Sequence, residues 1–438
     1  MKNIFLTFIL FTAILSAQER YTVSGTITDG SNGETLFGAF FFLEGTTIGV
    51  TTNEYGFYSI TAPKGNHNII ISYIGFTELK KGIALDRDQK LDFEIMEFST
   101  QLDEIVVTAE EPERVILRKP EMSVAKLNIK TVRQMPVVLG ELDIIKSLQM
   151  LPGVTNNGEG SSGFHVRGGA ADQNLVLLDE AIIYNTSHLL GFFSVFNADA
   201  IKDIKLYKGG IPARFGGRTS SVLDVRQKDG NSKNFAMTGG IGIISSRLAL
   251  EGPMFKEKGS FLIAGRGSYA HLLLKAAGKD NSANFYDLNL KTNYNLNESN
   301  QLFLSGYFGR DAFELGESFN SNYGNLSGNL RWNHIFNDRL FSNLSLIYSK
   351  YDYDLGIVIE EFDWISSINN YNIKYDLKYY TSEKFKLDFG ASGIYYDFDP
   401  GQIRPTSETS EINPLSLDRK KAFESALYIN AEHKLSDK

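Results

Sequence analysis

Along residues 371–382 apolar and polar positions alternate without a break: Tyr371, Ile373, Tyr375, Leu377 and Tyr379 share one face, and Asn372, Lys374, Asp376, Lys378 and Tyr380 the other. Leu326, Gly328, Leu330, Trp332 and His334 oppose Asn325, Ser327, Asn329, Arg331 and Asn333 in the same way, and Phe385, Leu387 and Phe389 oppose Lys384, Lys386 and Asp388. Successive side chains of a strand point to opposite faces, so this period of two predicts strands whose faces meet different surroundings. Runs of about ten residues are the length a tilted transmembrane strand needs. A soluble antiparallel sheet alternates as well, so the connections have to discriminate. Short turns at 297–300, 337–338, 382–383 and 436–437 interleave with longer polar connections at 276–283, 312–323, 356–366 and 400–417. Short turns at one end and longer loops at the other are the build of an outer-membrane barrel. Nine strands are evident from residue 234 onward, and an even count places a hidden reversal near residues 242–246.

Upstream the pattern changes. Residues 20–97 alternate short β-prone runs, such as Ala39-Phe40-Phe41-Phe42-Leu43, with turn signals such as Asp29-Gly30-Ser31-Asn32-Gly33, which predicts a small β-sandwich. Between Gly140 and Met150, Leu142, Ile145, Leu148 and Gln149 fall near helical spacing, and Leu151-Pro152-Gly153 ends the run. A Gly/Ser-rich stretch at 158–169 precedes a predicted strand at 174–179. Residues 102–109, Leu-Asp-Glu-Ile-Val-Val-Thr-Ala, form an isolated β-prone run followed by Glu110-Glu111-Pro112; alone it would read as an ordinary buried strand. At the start, Lys2, an apolar run over 4–15 and Leu15-Ser16-Ala17 have the form of a secretory signal peptide. No later stretch approaches about 18 consecutive apolar residues, so a membrane-spanning mature chain would have to cross with strands.

Composition narrows the chemistry. The 438 residues include 40 Gly, 31 Phe and 21 Tyr, a mixture that suits pleated faces and tight turns, and the length calls for two or three domains. Cysteine is absent, which removes disulfides and thiolate metal sites. A net charge of −8 argues against a nucleic-acid partner. The six histidines, 67, 165, 188, 271, 334 and 433, lack ligand spacing, and no hydrolase or phosphate-cradling motif occurs. The expectation is a non-enzyme with no metal and no cofactor.

Three ordered motif sets resemble a known family. Val23-x-Gly25-x-Ile27, Leu36-x-Gly38-Ala39, Glu44-Gly45-Thr46, Asn53-Glu54-Tyr55-Gly56-Phe57-Tyr58 and Tyr73-Ile74-Gly75-Phe76 are similar to the carboxypeptidase-regulatory-like domain, a transthyretin-like sandwich. Phe164-His165-Val166-Arg167-Gly168-Gly169, Asn174-Leu175-Val176-Leu177-Leu178-Asp179, Tyr207-Lys208-Gly209-Gly210 and Arg214-Phe215-Gly216-Gly217-Arg218 resemble the plug of TonB-dependent outer-membrane receptors. Glu104, Ile105, Val106, Val107, Thr108 and Ala109 are similar to a TonB box in sequence and place, and a sandwich ahead of the box is the Bacteroidetes arrangement of this family. The expected fold is mainly β: signal peptide 1–17, non-catalytic accessory sandwich 18–98, TonB box and linker 99–118, small α/β plug 119–232, and the N-terminal part of an antiparallel transmembrane barrel at 233–438. A barrel wide enough for a plug needs about 22 strands, so the chain reads as truncated, with roughly ten of them.

The resemblance implies a receptor that binds a scarce nutrient (siderophore, glycan or peptide) outside and imports it with energy delivered by TonB of the TonB-ExbB-ExbD complex. It places the barrel in outer-membrane lipid, the sandwich and box in the periplasm, and leaves room for a surface lipoprotein partner. A TonB-linked signal transducer, and a β-rich surface adhesin or hydrolase accessory protein, stand as alternatives. Arg167, Arg214 and Arg218 are plug latch candidates that could fork to barrel carboxylates or merely solvate the plug surface; the resemblance implies Glu251 as a candidate barrel partner. Tyr184, His188, Phe192 and Phe193 are ligand apex candidates that could equally pack against the barrel wall.

Overall fold

A computed structural model describes residues 19–98, 122–133, 141–156, 163–256 and 258–435. The signal-peptide stretch and the TonB-box residues Glu104 to Ala109 lie outside the described residues. Among the described residues no helix is long and apolar enough to cross a membrane.

The N-terminal sandwich stacks two sheets. In one, Arg20–Asp29 pairs antiparallel with Phe57–Pro63 and parallel with Gln89–Lys90 and Phe93–Ile95. In the other, the order is Gly49–Thr51, Phe40–Leu43, Gly65–Ser72, Leu79–Leu85. Alternate residues of both sheets fill the space between them: Val23, Ile27, Phe41, Leu43, Tyr58, Ile69, Ile71 and Phe93 are buried. Two residues of the C-terminal sheet, Phe341 and Tyr380, belong to this same core.

The middle domain is a five-stranded mixed sheet in the order Ala181–Ile182, Asn174–Leu178, Ser221–Gln227, Ile201–Tyr207, Val124–Asn128. Asn174–Leu178 and Ser221–Gln227 run parallel, and the other neighbours are antiparallel. The expected helix forms at Ile144–Gln149 and buries Ile144, Ile145 and Leu148 against Ile204, Leu206 and Val225. Its start is fixed by Asp143, whose side chain accepts from the Lys146 amide at 2.9 Å. Tyr307, from the C-terminal sheet, closes this core as well.

Apart from a short helix at Ala270–Ala276, the rest of the described chain is one antiparallel sheet of eleven strands, of which Leu415–Ser416 is a two-residue stub. The hidden reversal is where the sequence put it: Ala236–Ile241 turns back into Ser245–Met254, with Ile241 opposite Ser246. Two of the longer connections differ from expectation. Residues 312–323 and 356–366 are mostly strand, because Asn300–Leu315 meets Phe319–Asn337 and Leu340–Ile357 meets Phe362–Ser382. Pairing continues past the alternating runs, so the strands run on, reaching 16 to 21 residues. That exceeds the roughly 9–11 residues needed to cross a bilayer.

Burial across this sheet is inverted relative to a soluble protein. On Phe319–Asn337 the polar positions Asn325, Ser327, Asn329, Arg331 and Asn333 are buried, at 3–6%, while Leu326, Leu330 and Trp332 are 39–46% exposed. Leu288, Leu304, Phe308, Leu346 and Ile373 extend the outward apolar surface over neighbouring strands. An apolar exterior around a polar interior is stable when hydrocarbon lies outside. The middle domain sits against the polar inner face, and the sandwich caps the end that carries the short turns: Ser24 Oγ donates to Asp338 at 2.7 Å, Arg339 Nε to Thr22 Oγ1 at 3.0 Å, and Lys90 Nζ to the Glu298 carbonyl at 2.8 Å.

Candidate functional site

The three parts meet at a tight turn of the sandwich, Asn53-Glu54-Tyr55-Gly56-Phe57. Asn53 Oδ1 accepts from the amides of Tyr55 (2.9 Å) and Phe57 (3.0 Å), an Asx-type turn that fixes the backbone locally. Gly56 has φ +74°, and a Cβ there would lie 2.7 Å from Thr35 Cβ. Glu54 and Tyr55 are thereby presented to the other two parts.

Glu54 is buried between two cations. One carboxylate oxygen accepts from Arg214 of the middle domain, the other from Lys378 of the large sheet at 2.6 Å. Burial pushes this carboxyl upward, but Arg214, Lys378 and Arg226 outweigh it and hold Glu54 well below the usual carboxylate range. Tyr55 works beside it: its hydroxyl donates to Glu180 at 2.9 Å, its ring stacks on Phe341 at 5.3 Å, and the Arg331 guanidinium lies 4.7 Å from its centroid. Glu180 also accepts from Ser345 and from Asn343. Burial opposes its ionisation, and Lys374 and Arg331 overcome this, taking Glu180 down to about 2.

The seam between middle domain and large sheet is held by further charged pairs, with carboxylates chiefly on the middle domain and cations on the sheet. Asp199 accepts from Arg247 Nε at 2.7 Å, Lys291 Nζ lies 3.1 Å from both Asp179 and Asp229, and Glu141 accepts from Ser245. This polarity is the reverse of the sequence expectation. Of the latch candidates, Arg214 forms a cross-domain ion pair, but its partner is Glu54 of the sandwich. Arg167 donates to Ser123 within its own domain at 2.8 Å, and Arg218 to the neighbouring Gly217 carbonyl. Glu251, on the strand Ser245–Met254, has no polar contact with any of the three arginines among the described residues. Asp179, Glu180, Asp199, Arg247 and Lys291 were missed. Their only sequence signal is a charged residue at an inward position of an alternating run, or at a strand end.

Three of the four apex candidates lie inside the seam. Tyr184 Oη accepts from Asn370 at 2.7 Å. His188 stands between Asp311 (2.6 Å from Nδ1) and Asp287 (3.3 Å from Nε2), with its ring stacked on Phe285 at 4.4 Å. Burial lowers the His188 pKa, yet the two carboxylates raise it above its ordinary value. Phe193 is buried against Phe285, while Phe192 is half exposed.

Residues 124–222 match the TonB-dependent Receptor Plug Domain family, and residues 23–107 the CarboxypepD_reg-like domain. Residues 124–222 are therefore similar to the plug domain of TonB-dependent receptors. Over 106 residues, 24% of this chain and 10% of the relative, the chain is 33% identical to TonB-dependent receptor P3 of Formosa agariphila. Among solved structures, the siderophore receptor PirA of Acinetobacter baumannii superposes with a TM-score of 0.52 at 14% identity, covering 72% of this chain and 55% of that one. Pseudomonas aeruginosa FpvA, solved with an iron pyoverdine, gives 0.55 at 11% (73% and 50%), and the copper transporter OprC 0.54 at 12% (72% and 52%). At these identities the likeness is one of fold: a plug held by an antiparallel sheet. The chain spans about half the length of these solved receptors.

Proposed function

We propose that this chain is part of a TonB-dependent outer-membrane receptor that binds a scarce nutrient outside the cell and imports it when the plug is moved by work delivered from the inner membrane. The observation that carries this reading is the plug seated on the polar inner face of a sheet whose outer face is apolar. Such a sheet needs lipid outside, and the plug then stands in the path through it. The plug–sheet seam is rich in ion pairs and amides, contacts that water can replace when the plug shifts, whereas a continuous apolar seam would resist displacement.

The sandwich docks at the short-turn end, which in outer-membrane barrels faces the periplasm; this supports a periplasmic sandwich and box. The outer membrane has no ATP of its own, so force has to arrive through a physical link. Glu104 to Ala109 suit that role: a β-prone run can add to an exposed strand edge of TonB, where main-chain hydrogen bonds carry load. Ligand would enter from the opposite end, where Phe192 is the apex candidate still open to contact. Catalysis has no part in this scheme. The test is location and energy dependence of the full gene product. Heat-modifiable protein in the outer membrane, with uptake that stops when TonB is removed, is expected; recovery in the soluble periplasm would refute the reading.

A further inference from the structure

We propose that the Asn53-to-Phe57 turn of the sandwich is the lock on the plug, and that the sandwich must undock before the plug can move. The inference rests on the transport reading above and adds to it a mechanical role for a domain the resemblance makes merely accessory. Glu54 is shared: Arg214 belongs to the plug and Lys378 to the sheet, so any slide of plug against sheet with the turn seated strips this buried carboxylate of a partner. Tyr55 is shared as well, its hydroxyl on plug Glu180 and its ring on sheet Phe341. Glu180 is tied in turn to Asn343 and Ser345 of the sheet, which makes Tyr55 the third member of a plug–sheet contact. Phe57 anchors the turn from behind by stacking on Phe341 at 5.6 Å and meeting Tyr380 edge-on at 5.9 Å.

A second set of contacts ties the sandwich to the plug alone. Lys202 Nζ donates to the Thr35 carbonyl at 2.7 Å, and Glu34 accepts from the Asp229 amide at 2.6 Å. The sandwich therefore grips the plug on one side and the short-turn rim on the other. Connectivity gives this grip a use: residues 104–109 follow the sandwich and precede the plug in the chain, so a pull there loads both flanks. Removing Glu54 and Tyr55 from the junction releases the plug from two sheet contacts in one step.

The full gene product in its outer membrane tests this directly. Ser24→Cys with Asp338→Cys places thiols where the side chains are now 2.7 Å apart, and these 438 residues contain no cysteine to compete. Joining the pair with a short cleavable thiol cross-linker pins the sandwich to the rim. The lock predicts ligand binding retained, import lost, and import restored on cleavage; import at the uncross-linked rate would overturn it while leaving the transport reading intact. Absence of import in the wild type as well would instead defeat the transport reading. A second measurement needs no transport. In Glu54→Gln and Tyr55→Phe variants, amide hydrogen exchange in the plug strands Ile201–Tyr207 and Ser221–Gln227 should rise, and unchanged exchange in both would overturn the lock.

Discussion

Glu54 and Arg214, 160 residues apart in sequence and in different domains, form a buried ion pair that Lys378 of the large sheet completes from the other side. Replacing Glu54 with Gln leaves two largely buried cations facing a neutral amide. Loss of one member of such a buried set costs about 3 kcal/mol. Denaturant unfolding of the receptor in detergent should show that loss, and Arg214→Met should cost less, since Lys378 still neutralises Glu54. Because the groups share partners, the double variant should fall short of the sum of the two singles.

Phe341 tests the packing half of the same junction. It is buried beneath Tyr55 and Phe57 in the sandwich core although it belongs to a strand of the large sheet. Phe341→Ala removes a ring from a closed aromatic cluster and should cost about 3–5 kcal/mol. The loss should appear as faster proteolytic release of the sandwich, with the sheet itself still heat-modifiable. Release at the wild-type rate would show that polar contacts alone hold the domain.

His188 makes the plug–sheet seam pH-dependent. The groups facing it are Asp287 and Asp311, with Tyr307 3.4 Å from Nε2, and the carboxylates raise its pKa above its ordinary value of 6.5. A raised histidine contributes its full stabilisation below its unfolded pKa and loses it as pH climbs through the folded value. Thermal unfolding followed from about pH 6 to about pH 9 should therefore fall more steeply for the wild type than for His188→Asn, whose side chain cannot titrate. Parallel curves would mean that the imidazole is neutral throughout.

Local patterns in the sequence reached far. The period of two placed the strands and told inward Asn329 and Arg331 from outward Leu330 and Trp332, because lipid and lumen impose opposite demands on alternate residues. The helix at Ile144–Gln149 and the reversal after Ile241 were legible for the same local reason. Strand ends were not: residues 312–323 look like a polar loop, since beyond the bilayer both faces of a hairpin are wet and alternation of hydrophobicity fades. The cross-domain ion pairs were hidden for a different reason. Arg214 carries a motif that marks it as important, but nothing near it in sequence points to Glu54, and the seam polarity set by Asp199–Arg247 and Asp179–Lys291 exists only once the sheet has curved around the plug. Asn53 to Tyr58 stood out only as a sandwich motif; that Asn53 to Gly56 make a turn, and what the turn touches, appears only in the fold.

The most direct test of energised import lies at Val106, in the segment between sandwich and plug. Val106→Pro removes a main-chain donor from a strand that has to pair with its partner, without altering the plug, the sheet or the Glu54 junction. Ligand binding to whole cells and uptake into the periplasm should be measured side by side in the full gene product. Binding at the wild-type level with uptake abolished is the expected result, and uptake at the wild-type rate would contradict coupling through this strand.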